Sequence, residues 1–253
     1  MSKVTYFAYG LFCYAVGMAS LVYMFGWLVN FVVPRQIDSV QLLYVLPALS
    51  VNLALFILYG LVHSIMARPN FKKSWTAFVP KPIERSTYVL FAGTGLFFVM
   101  LMWQPMGIDV WKVTNPIAAA VLYGVYALGW ALLVGSTFMI NHFDLFGLRQ
   151  VWLHAQGKLD EPLPFVTPML YQFVRHPLYV GWITLVWATP AMSLSHLIFA
   201  LGTTVYILFA IPYEERNLIE FHGDAYVNYR AQTPMLVPGM GGTPAPGLSN
   251  NPG

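Results

Sequence analysis

The chain has 253 residues, of which 58% are apolar and 9% charged, and its net charge is +3. A soluble domain carries roughly 25% charged residues, so the composition argues against one, and the small, scattered positive charge argues against a nucleic-acid surface. The single Cys13 cannot close an internal disulfide, and no Cys/His spacing suits zinc, so no metal is expected.

Charged residues leave five uncharged blocks, at 4–34, 39–67, 86–108, 113–143 and 176–213. Each is longer than the about 20 residues a helix needs to cross a hydrocarbon core. The expected fold is all-α and polytopic, embedded in membrane lipid, with no Rossmann domain. The first block is too long for a signal peptide and lacks a small-residue cleavage site, so it reads as structure. The last block, 38 residues long, would reach roughly 57 Å as one helix. Pro190 and the polar run Ser193-Leu194-Ser195-His196 interrupt it. This predicts a helical hairpin, 178–192 and 197–213, with each arm short for a full span. The chain then divides into four spans over 1–140, a region over 141–237 that forms the site, and a flexible tail over 238–253. Gly239-Met240-Gly241-Gly242 in that tail follows no strand and is no dinucleotide fingerprint.

Lys and Arg are unevenly placed. If the loop with Arg68, Lys72, Lys73, Lys81 and Arg85 is cytoplasmic, alternating segments on that side hold eleven of the 13. By the positive-inside rule both termini are then cytoplasmic.

Four of the ten carboxylates fall within eleven residues, Glu214, Glu215, Glu220 and Asp224, just after the second hairpin arm. The first arm opens with Arg175-His176-Pro177-Leu178-Tyr179. A hairpin brings its open ends together, so Arg175 and His176 should face Glu214 and Glu215. Two readings stand: a salt-bridge cluster fixing the helix ends, or a binding site at a helix N-terminus, whose first N–H groups lack intrahelical partners. Tyr226 and Tyr229 share a helix face and could stack on a flat, cationic heterocycle, or simply mark the membrane interface. His142, Asp144 and Arg149 close the fourth span. His63 and His196 read as interfacial histidines.

The ordered motifs Arg175-His176-Pro177-Leu178-Tyr179-Val180-Gly181-Trp182, Glu214-Glu215-x-x-Leu218 and Gly223-x-x-Tyr226-x-x-Tyr229 resemble the isoprenylcysteine carboxyl methyltransferase superfamily. That group includes phospholipid methyltransferases and NnrU-like proteins, and the match covers about 175–238, a quarter of the chain. Asn141-His142-Phe143-Asp144-Leu145-Phe146-Gly147-Leu148-Arg149-Gln150 is similar to the narrower bacterial methanethiol S-methyltransferases. His222 departs from the pattern, since an aromatic residue is commoner before the glycine.

The resemblance implies an S-adenosyl-L-methionine-dependent enzyme that methylates methanethiol to dimethyl sulfide at the cytoplasmic interface. Arg175, His176, Tyr179 and Gly181 would build one wall of the cofactor site, and Glu214, Glu215, His222, Tyr226 and Tyr229 the other. Either a base takes the thiol proton or nearby positive charge favours the thiolate: His142, oriented by Asp144, is the first candidate base and His176 the second, and Arg149 would stabilise the anion. Trp27, Tyr123 or Trp130 would line a cramped thiol cavity. The alternatives are a prenylcysteine carboxylate or phospholipid amine acceptor, or a non-enzymatic membrane protein. The sequence leaves the oligomeric state open.

Overall fold

The computed structural model describes residues 2–240. Of the tail expected over 238–253, residues 241–253 lie outside the described residues. The helices in order are α1 (Lys3–Leu28), α2 (Val45–Ala67), α3 (Pro69–Trp75), α4 (Lys81–Met102), α5 (Pro116–Ile140), α6 (His142–Leu145), α7 (Leu148–Gln156), α8 (Pro177–Trp187), α9 (Leu194–His222) and α10 (Asp224–Gln232). Two short strands, β1 (Asp109–Lys112) and β2 (Ala191–Ser193), pair antiparallel. Helices α1, α2, α4, α5 and α9 are long and apolar enough to cross a membrane. The protein is an all-α polytopic membrane protein.

Because α1, α2, α4 and α5 alternate in direction and α8 and α9 form a hairpin, the bundle has two distinct ends. One end gathers α3, α6, α7, α10 and eleven of the 13 Lys and Arg residues; the other carries the strands with Arg35 and Lys112. Its core is aromatic: Trp27, Trp103 and Phe199 meet edge to face, with ring centroids 5.0–6.0 Å apart. Met24, Leu28, Met100 and Leu185 pack around them, fully buried.

The hairpin exists, but its arms are unequal. α8 has 11 residues and α9 has 29, rather than the two short arms expected. The lengths still match in space. From Ser193 to Glu215 α9 rises about 33 Å at ~1.5 Å per residue. α8 supplies only about half of that. The buried extended segment from Ala188 to Ser193 adds up to about 20 Å at ~3.3 Å per residue.

Non-helical backbone at such a depth needs every polar group satisfied within the protein. Here Trp111 Nε1 donates to the Thr189 carbonyl at 3.1 Å. Val113 N donates to Pro190 O at 2.7 Å, and Leu194 N to Ile108 O at 2.7 Å. His196 belongs to the same repair. It is not interfacial: it is buried, and its Nε2 lies 2.9 Å from the Val186 carbonyl that the end of α8 leaves without a helical partner.

Candidate active site at the charged end

Backbone pairing builds the site first. Arg175 N donates to Pro234 O (2.9 Å) and His176 N to Met235 O (3.2 Å). The segment after α10 thus clamps the start of α8. Pro177 opens that helix, where its missing N–H costs nothing.

The side chains then form a clasp across the hairpin. Arg175 Nε donates to Glu215 Oε1 at 2.7 Å, and His176 Nε2 lies 3.1 Å from the same oxygen. Arg175 Nη1 also donates to the carbonyls of Arg230 (3.1 Å) and Thr233 (2.5 Å). The Arg175 side chain is 1% exposed and that of Glu215 8%. A buried ion pair repays its desolvation only when its remaining donors and acceptors are also bonded, and these carbonyls supply that. The adjacent carboxylate is different. Glu214 is 44% exposed at its side chain and accepts from the Tyr179 hydroxyl at 2.7 Å. Glu215 therefore holds the hairpin shut, while Glu214 is open to a ligand. Of the two readings of the charge cluster, the salt bridge describes Glu215, while Glu214 stays largely exposed.

α10, the end of α9 and the loop after α7 give the aromatic face. Phe165 lies 5.1 Å from His222, 5.7 Å from Tyr226 and 5.5 Å from Tyr229 between ring centroids. The Tyr229 hydroxyl donates to Tyr171 O at 2.5 Å, and burial pushes its pKa up to about 12. Tyr226 is 2% exposed, yet its hydroxyl has no hydrogen-bond partner. A buried hydroxyl left unpaired costs about 1–3 kcal/mol, so this atom fits a group that a ligand would supply.

Other expected site residues are placed elsewhere. Gly181 does not line the clasp. It faces α5, where a Cβ would stand 2.5 Å from Leu133 N, and Gly129 meets Leu185 reciprocally. Glycine here permits close helix contact, as small residues do between membrane helices.

Asp144 does not orient His142. The imidazole is bonded at Nε2 to the Tyr14 hydroxyl (2.8 Å) and at Nδ1 to the Thr137 hydroxyl (2.8 Å), and it stacks on Phe138 at 4.0 Å. Burial lowers its pKa. Asp144 instead accepts from Arg149 (3.2 Å) and Gln150 (2.9 Å), and Arg149 also pairs with Asp160 at 2.6 Å. An Arg149 so engaged has little charge to lend a thiolate. Trp27 and Trp130 belong to the hydrophobic core and Tyr123 is exposed, so none lines a cavity at the clasp. Among the described residues no group of three or more His, Cys, Asp or Glu is placed to hold a metal.

Fold and site together define an integral-membrane protein whose ionisable and aromatic groups converge where two hairpin arms meet. The chain is 47% identical to a methanethiol S-methyltransferase of Crocosphaera subtropica, over 95% of this chain and 94% of that one. It is 43% identical to the Mycobacterium tuberculosis protein of the same name, over 94% and 98%. Rat nurim is 30% identical over 69% of each chain. No family model and no solved structure matches. The chain belongs to the methanethiol S-methyltransferase family.

Proposed function

We propose that this protein methylates methanethiol to dimethyl sulfide with S-adenosyl-L-methionine as donor, at the cytoplasmic face of a bacterial inner membrane, with both termini on that side. The observation that carries the reading is an exposed carboxylate, Glu214, next to the Arg175–Glu215 clasp, with the orphaned Tyr226 hydroxyl on α10, the helix whose end that clasp holds. When bound, the donor supplies an electrophilic methyl on a sulfonium. Glu214 and Tyr179 would hold its cationic amine, and Phe165, His222, Tyr226 and Tyr229 its base. Arg175, His176 and Glu215 keep the hairpin closed, which fixes those groups and limits water. The reaction is an in-line displacement, so alignment of donor and acceptor accounts for most of the rate.

The test is calorimetric binding of S-adenosyl-L-methionine to the purified protein, with gas-phase detection of dimethyl sulfide. Glu214→Ala should weaken donor affinity about tenfold or more, the loss typical of a charge-assisted contact. Parallel assays with a prenylcysteine and with phosphatidylethanolamine should give no product. Absence of donor binding would overturn the reading.

A further inference from the structure

The clasp accounts for the donor but not for the thiol, and the residues first expected to activate the thiol are engaged elsewhere. A second polar group lies deeper, between the spans. His63 on α2 is bonded through Nε2 to the Tyr88 hydroxyl of α4 at 2.9 Å. Tyr206 of α9 is bonded to Ser64 at 2.9 Å, and its ring lies 6.4 Å from that of His63. Tyr59 completes the group at 5.6 Å. Ionisable residues inside membrane spans are costly and mark functional paths. This group lies along the same helix as the clasp: Tyr206 precedes Glu214 by eight residues on α9, about 12 Å at ~1.5 Å per residue. The cations on the flanking turns are directed elsewhere: Arg85 lies 3.9 Å from Asp144, and Arg68 lies 4.1 Å over the Tyr213 ring.

His63 and Tyr88 also line a cavity of about 290 Å³ between α2 and α4, whose other walls include Leu58, Phe91 and Phe98. These three are exposed, so the cavity opens on the apolar flank of the bundle. A small alkanethiol is itself apolar and partitions into lipid. The cavity leads from that phase to a histidine.

Resting on the function proposed above, we infer that His63 and Tyr88 form the acceptor site, which takes a small alkanethiol from the bilayer and removes its proton. The thiol proton passes through the Tyr88 hydroxyl to His63 Nε2. The acceptor sulfur then bonds the methyl carbon, the methyl–sulfonium bond breaks, and its electron pair stays on the donor sulfur. Dimethyl sulfide leaves uncharged, and His63 gives its proton to water.

The experiment measures kcat and KM for methanethiol from pH 6 to 10, and donor affinity by calorimetry, in nanodiscs. His63→Gln should leave the donor Kd within twofold and lower kcat at pH 7 by about tenfold to a hundredfold, the low end of general-base contributions. The deficit should shrink at high pH, where the thiol, with a pKa above the cysteine value of about 8.5, ionises unaided. Tyr88→Phe should show the same pH signature. Ala92→Phe, which narrows the cavity, should raise the thiol KM while sparing the donor Kd. A kcat deficit constant across pH, an unchanged kcat, or a parallel loss of donor binding in His63→Gln and Tyr88→Phe would overturn the inference while leaving the function intact. Wild-type protein that binds donor but makes no dimethyl sulfide would overturn both.

Discussion

The two ends of the bundle are held together by different physics. At the strand end Trp27, Trp103 and Phe199 fill space edge to face, and the partly buried Arg35 beside them donates to the Trp103 carbonyl. At the charged end the buried pair Arg175–Glu215 does the closing, supported by His176 and by hydrogen bonds from Arg175 to two backbone carbonyls. Packing of the first kind tolerates loss gradually, because neighbours relax into part of the space. A clasp of the second kind fails more abruptly, because without Arg175 the buried Glu215 keeps only His176 and, at 3.9 Å, Arg230 as partners. The lesson is that this protein places its rigid packing away from its chemistry and builds its site where a few polar bonds can hold or release a segment.

Substitutions sharpen that contrast, the largest first. Arg175→Ala should abolish donor binding and cost about 3–5 kcal/mol of stability by weakening the compensation of the buried Glu215 charge. Thermal unfolding in detergent and calorimetry check the two effects. Trp27→Ala should cost a comparable or smaller amount, about 3–5 kcal/mol at most, through cavity formation. Its folded fraction should bind donor normally, and a loss of affinity per folded molecule would erase the distinction between the ends. Tyr226→Phe should act in the opposite sense on stability. Removing a buried unpaired hydroxyl should raise stability of the ligand-free protein by about 1 kcal/mol, while donor affinity falls severalfold. If the same variant binds donor as tightly as wild type, Tyr226 is core and not site.

Much of the site was legible in the chain. The meeting of Arg175 and His176 with Glu214 and Glu215 follows from a block too long for one helix with a break near Pro190. The rest was not, for specific reasons. His142 and Asp144 are two residues apart, but α6 turns their side chains toward different helices, so sequence proximity misled. Gly181 stands among motif residues, yet the helix turn points it at Leu133. The unequal arms depended on β1, a strand from a distant loop that pairs with the hairpin tip. His63 was read as interfacial because only the approach of α4 and α9 shows what it faces. The one signal for it was an ionisable residue lying inside a span.

The sequence alone determined that the protein is a bundle of membrane helices, that positive charge collects on one side, and that its last apolar block folds back. Those properties follow from hydropathy, span length and charge, which act along the chain. Only the tertiary structure decided which glutamate closes the hairpin and which is open, where the aromatic core lies, and which histidine faces a cavity. Every span here is apolar nearly all round, so periodicity gives no face, and the rotation of each helix is set by its neighbours.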